Sequence, residues 1–157
     1  MPSKLEEKKL YNLLWGSILI ILVVGGICYM YLKNHYKDNE NKEFTLTEFI
    51  NGTDGFPPMK NILVGMVFGT VFGFIDNAGM FFGMDALEPF LPREGFIAAG
   101  IGNTYSSVLG AFLASFLSNV IKIATGVNSM PVWSDAAGII VGAILGIYIP
   151  PMVVAAL

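Results

Sequence analysis

The chain offers few side chains that could do chemistry. It has one histidine, His35, and one cysteine, Cys28, so a histidine-based metal centre and an internal disulfide framework are both excluded. No HExxH, GxSxG or P-loop sequence occurs. The net charge is −3, and no basic block is present to neutralise a run of phosphates. We therefore expect no enzymatic activity, no cofactor or metal, and no nucleic-acid binding.

The remaining chemical candidates are polar residues inside long apolar runs: Asp76, Asn77, Asn103 and Ser107. A carboxylate inside a membrane is costly and often marks an ion or proton path. Hydrogen bonds between helices would satisfy the same groups without any transport function. Asn103 and Ser107 are four residues apart, so they share a helix face from which to bond a neighbour. We favour interhelical bonding, and Asp76 is the residue best placed to overturn that interpretation.

The elements that must position these residues are membrane helices. The composition is 54% hydrophobic and 13% charged, and the mean hydropathy is +0.64. Soluble domains carry about a quarter charged residues, so this chain lacks half of the usual solvating surface. We predict an all-α integral membrane protein with about four transmembrane helices.

The apolar runs and their breaks divide the chain into segments. We predict a polar N-terminal segment at 1–10, an uncleaved transmembrane anchor helix at 11–32, a hydrophilic loop at 33–60 and a three-helix membrane unit at 61–157. The three spans of that unit are placed at 61–84, 96–123 and 135–157. Whether the first of them breaks at Asp76 stays open, and Pro150-Pro151 should kink or end the last helix unless neighbours satisfy the freed carbonyls. Lysines fall on both sides of the membrane, so orientation is not predicted.

Small residues recur at every fourth position in each of these three spans. Four residues turn a helix by about 400°, so each small residue sits almost above the one before it. In lipid, such a stripe permits the close backbone approach that drives helix association, so we expect a compact glycine zipper. The predicted packing residues are Gly65, Gly69, Gly73, Gly102, Ser106, Gly110, Ala114, Gly138, Gly142 and Gly146.

The hydrophilic loop at 33–60 is the segment best suited to contact partners outside the bilayer. Within it, residues 44–50 could form either a short amphipathic helix or a strand at the membrane surface. Asn51-Gly52-Thr53 is a formal glycosylation sequon, which makes Asn51 a candidate acceptor.

Two stretches carry a resemblance to known proteins: FGFIDNAGMFFGMDALEPFLP at 72–92 and AGIGNTYSSVLGAFLASFLSNVIKI at 99–123. They resemble small membrane proteins of large icosahedral DNA viruses, whose minor capsid proteins tie an internal lipid membrane to the capsid shell. The resemblance implies a structural virion protein of the viral inner membrane, with the lipid bilayer and other membrane or capsid proteins as partners in a hetero-oligomeric assembly.

Other functions remain open. The four-span pattern also resembles mitochondrial translocase subunits, although Arg93 is not followed here by the well-spaced aspartate of their motif. The alternative function is a small channel, holin-like pore or translocase subunit in which Asp76, Asn77 and Asn103 line a path. A third is an accessory subunit of an energy-transducing complex.

Overall fold

The computed structural model describes residues 4–40, 42–87 and 95–156. The described chain contains helices and connecting segments and no strand, which confirms the predicted all-α class. The helices are α1 (Lys4–Glu40), α2 (Leu46–Asn51), α3 (Met59–Leu87), α4 (Gly95–Thr125) and α5 (Val132–Ala156).

Four of the described helices are long and apolar enough to cross a membrane. The candidate spans are Ile18–Asp38, Met59–Phe82, Ala99–Thr125 and Val132–Ala156. Each exceeds the roughly 20 residues that a helix needs to cross the hydrocarbon core. The chain is thus a multi-pass membrane protein by the length and composition of its helices.

The structure places several helix ends differently from the sequence-based boundaries. Helix α1 continues through residues 33–40, which were assigned to the loop, because no glycine or proline interrupts that segment. The helix-or-strand alternative for 44–50 resolves to the short helix α2. It begins with a capping box in which the Thr45 and Glu48 side chains each accept the other's backbone N–H, at 3.1 and 2.9 Å.

The break at Asp76 that the sequence left open does not occur, and α5 does not end at its two prolines. Helix α3 runs past Asp76 without interruption, and α5 runs through Pro150 and Pro151 as far as Ala156. Two consecutive prolines remove two intrahelical donors, yet they do not end the helix.

The chain forms two compact units, Met1–Phe49 and Ile50–Leu157. In the second unit, α3 is the central helix, and α4 and α5 each pack against it with hardly any contact between themselves. Helix α4 is antiparallel to α3, because Gly79 lies beside Ser106 whereas Lys60 reaches Thr125. Helix α5 is parallel to α3, because Gly65 lies beside Ser134 whereas Phe74 lies beside Gly146.

Candidate functional site

The glycines of α3 lie directly against the backbone of α5. At Gly65 an added Cβ would overlap the Ser134 side chain, and at Gly69 it would overlap the carbonyl oxygen of Asp135. At Gly73 it would stand 2.5 Å from the carbonyl oxygen of Ile139. No side chain fits at any of these positions, so the two helix backbones are as close as glycine permits.

The glycines of α5 make the reciprocal contact. A Cβ at Gly138 or Gly142 would overlap the carbonyl oxygen of Met66 or Thr70, respectively. At Gly146 it would lie 2.6 Å from the carbonyl oxygen of Phe74. The glycine hydrogen that occupies the Cβ direction therefore points at a carbonyl oxygen of the facing helix, which is the geometry of a weak Cα–H···O contact.

The contact between α3 and α4 uses the small-residue row of α4. Its members Gly102, Ser106, Gly110, Ala114 and Ser118 are all buried. The approach is looser than on the α5 side: a Cβ at Gly110 would meet the nearest carbonyl oxygen at 3.2 Å. A shift of a few tenths of an ångström would accommodate it.

Asp76 lies in this α3–α4 contact and is bound by two serines of α4. Its Oδ1 accepts hydrogen bonds from Ser106 Oγ at 3.0 Å and from Ser107 Oγ at 2.6 Å. The Ser106 hydroxyl has a second acceptor, the Asn103 carbonyl oxygen, at 3.1 Å. Asp76 is six residues before Phe82, the last residue of its span, so it lies about 9 Å inside the span along the helix. The carboxylate thus joins two membrane helices.

The other predicted polar residues do not join this cluster. The Asn77 side chain donates to the Gly73 carbonyl of its own helix at 3.0 Å, and its Cβ faces Gly146 of α5. Asn103 is exposed, and its side chain makes no hydrogen bond to the residues that the structure describes. The structure therefore brings the Asp76 and Ser107 side chains together, whereas the side chains of Asn77 and Asn103 bond to neither of them.

A polar cluster at the start of α3 was not predicted. Lys60 Nζ donates to the Thr125 carbonyl at 2.7 Å, and Asn61 Nδ2 donates to the Ser129 carbonyl at 2.9 Å. Ser129 Oγ donates in turn to the carbonyl of Gly52, a residue with φ of 70°. These bonds fix the α4–α5 connection against the start of α3. They join residues far apart in sequence, so no local pattern could have revealed them.

Ser134 is a second residue that the sequence analysis missed. It is buried beside Gly65 and donates to the Pro131 carbonyl at 2.6 Å. The four-residue spacing could have found it, because Ser134 is the position before Gly138 on the same row.

The remaining predictions concern Asn51, Arg93 and a metal site. Asn51 ends α2, and its amide donates to the Gly55 carbonyl at 3.1 Å; its glycosylation stays a prediction. Arg93 lies outside the described residues. Among those that are described, no group of three His, Cys, Asp or Glu side chains could hold a metal ion.

The arrangement can hold helices together, and no catalytic constellation accompanies it in the described part of the chain. Comparison of the chain with family models, with curated proteins and with solved structures gave no match.

Proposed function

We propose that this chain is a structural membrane protein that serves as a non-catalytic component of a larger assembly. The observation that carries the proposal is the hydrogen bonding of Asp76. The one carboxylate deep within a described span accepts bonds from Ser106 and Ser107 across the α3–α4 contact. A group used in this way stabilises helix association, and a transport path would instead need it to face water.

A cavity lined by Ile75, the residue before Asp76, argues in the same direction. It has a volume of about 490 Å³ and is lined by Phe74, Phe82, Leu109 and other apolar side chains, with the Tyr105 ring among them. Such a lining suits a lipid chain or a neighbouring apolar side chain and offers little hydration to a passing ion.

The outer face of α4 supports membership in an assembly. Asn103 and Asn119 are both exposed within the span Ala99–Thr125. They belong to a row of small and polar residues, Asn103, Ser107, Ala111, Ser115 and Asn119, which lies next to the row buried against α3. An amide facing lipid is unfavourable unless a partner helix supplies hydrogen bonds. Ser107 of this row is bonded to Asp76, so the exposed amides of Asn103 and Asn119 are the groups that suit contact with another membrane helix.

The finer form of the proposal is a viral minor capsid protein that ties a shell to an inner lipid membrane. The resemblance of residues 72–92 and 99–123 to viral inner-membrane proteins supports it. Segment 33–60 would make the contact outside the bilayer, through the exposed end of α1 and the short helix α2.

The test is solubilisation of the native membrane in mild detergent, followed by mass spectrometry of the proteins that co-purify. Recovery with shell proteins is the expected result. Recovery of the chain alone, as a defined homo-oligomer, would contradict the proposal and favour a pore.

A further inference from the structure

A cavity in the first unit combines lysines with aromatic side chains at the end of a membrane span. Its volume is about 520 Å³. It lies between the last turns of α1 and the segment that folds back after α1 ends. The residues that matter for its chemistry are Tyr29, Lys33, Lys37, Lys42, Glu43 and Phe44.

Aromatic contacts hold the folded-back segment in place. The Phe44 ring stacks on Tyr36 with centroids 4.7 Å apart, and Phe49 meets Tyr29 with centroids 5.7 Å apart. The Lys42 N–H also donates to the Tyr36 carbonyl at 3.3 Å. Two of these packed rings, Tyr29 and Phe44, line the cavity beside the lysines.

Two of the three lysines are available to an anion. Lys42 is held by Glu48, with Nζ 2.7 Å from Oε1. Lys33 and Lys37 are exposed, and neither forms an ion pair with the residues that the structure describes. They are four residues apart on α1, so their ammonium groups lie on one face, and the Lys33 ammonium is 5.9 Å from the Tyr29 ring centroid. Among the described residues of the lining, Glu43 is the one acidic residue.

The uncharged part of α1 ends at Leu32, so Lys33 and Lys37 occupy the last turns of the candidate span Ile18–Asp38, at the level of lipid headgroups. Tyr11 and Tyr31 are separated by about 30 Å along the helix, which matches the thickness of the hydrocarbon core. Tyrosine is enriched at both membrane interfaces. Lys33 and Lys37 lie about 3 and 9 Å beyond Tyr31 along the helix, and the headgroup layer extends about 5–8 Å past the hydrocarbon on each side. The long Lys37 side chain can reach back into that layer.

We propose that this cavity binds the phosphate of an anionic phospholipid, with Lys33 and Lys37 as the phosphate ligands. The acyl chains of the phospholipid would lie along the exposed apolar side chains of α1, such as Met30 and Ile27. A juxtamembrane pair of lysines attracts acidic lipids, and the aromatic wall supplies the apolar contact that the glycerol backbone and upper acyl carbons require. This binding site goes beyond the structural role proposed above and does not depend on it.

The test is native mass spectrometry of the full-length chain, purified without lipid and titrated with phosphatidylglycerol or with phosphatidylcholine. The double variant Lys33→Gln/Lys37→Gln removes the proposed ligands. The matched control is Lys4→Gln/Lys8→Gln, which removes two exposed lysines of the same helix at the same spacing, outside the cavity. Far-UV circular dichroism and size-exclusion profiles verify that all three proteins are folded.

Wild type should bind phosphatidylglycerol in preference to phosphatidylcholine. In the cavity variant the ratio of the two lipid affinities should fall by roughly tenfold or more, because each lysine near an anionic lipid raises the affinity about fivefold. The control variant should keep the wild-type ratio. Equal binding of the two lipids, or an equal loss in cavity variant and control, would overturn the proposal. Binding of inorganic phosphate as tightly as phosphatidylglycerol would overturn a lipid as the source of the phosphate. Preferential capture of an acidic peptide would overturn the ligand class.

Discussion

At the scale of single residues, the Asp76 carboxylate distinguishes a structural role of the protein from a transport role most clearly. An unpartnered carboxylate inside a bilayer is costly, and two serine hydroxyls offset part of that cost. The second acceptor for Ser106, the Asn103 carbonyl, keeps the hydroxyl bonded even if Asp76 is replaced. Hydrogen bonds between membrane helices are also individually modest, because the polar groups find other partners when the helices are apart.

Replacement of Asp76 by asparagine should leave the protein folded and should not change ion or proton permeability. The amide oxygen of Asn still accepts from Ser106 and Ser107, so the stability should change by about 1 kcal/mol or less. The measurements are reversible unfolding in mixed micelles and a liposome flux assay. Flux by the wild type that disappears in the Asp76→Asn variant would support a channel instead.

At the scale of helices, the contact between α3 and α5 depends on glycine at both surfaces. Close approach of two backbones replaces the hydrophobic gain that helices lack in lipid. The facing carbonyl oxygens of Met66 and Thr70 stand where a Cβ of Gly138 or Gly142 would be. A single methyl group must therefore separate the helices.

Gly142→Ala should destabilise the protein by about 2 kcal/mol, within the usual range for overpacking. The matched control is Gly100→Ala on α4, where a Cβ meets nothing within 4 Å. That substitution should be neutral or stabilising by up to about 1 kcal/mol, because alanine favours helix over glycine. Unfolding in mixed micelles measures both, and equal stability of the two variants would refute the close α3–α5 contact.

Gly110→Ala should have an intermediate effect, because the α3–α4 contact leaves 3.2 Å between the added Cβ and the Phe72 carbonyl oxygen. We expect a loss of about 1 kcal/mol or less, smaller than that of Gly142→Ala. The same unfolding assay provides the comparison. A larger loss of stability for Gly110→Ala than for Gly142→Ala would contradict the finding that α5 packs more closely on α3 than α4 does.

Helix positions could be predicted from the sequence, but helix partners could not. Long apolar runs define the spans, and a four-residue spacing defines a face on each of them. The same spacing does not say which helix that face meets, because glycine stripes can pack in parallel or antiparallel pairs. Asp76 could therefore be recognised as an intramembrane carboxylate, whereas its bonds to Ser106 and Ser107 depend on the α3–α4 register.

The other differences have local causes. The predicted anchor helix ends at residue 32, whereas α1 continues for eight more residues to Glu40. The polar residues after 32 mark the end of the apolar part of the helix and not the end of the helix. Pro150 and Pro151 predict a kinked or terminated helix unless neighbours satisfy the freed carbonyls, and α5 continues through them to Ala156.

At the scale of the whole molecule, the exposed polar face of α4 predicts a partner helix. The double variant Asn103→Leu/Asn119→Leu should reduce co-purification of partner proteins. It should keep the stability of the isolated chain, because both side chains are exposed and unbonded among the described residues. The matched control is Ile123→Leu, a conservative change at a residue of α4 that is 83% exposed.

The most direct test of the structural role is the composition of the complex recovered in mild detergent, measured by mass spectrometry for the wild type and these two variants. We expect a hetero-oligomer for the wild type and for Ile123→Leu, and loss of its partners for Asn103→Leu/Asn119→Leu. A wild-type chain that emerges only as a homo-oligomer, unchanged by the double variant, would contradict the structural role.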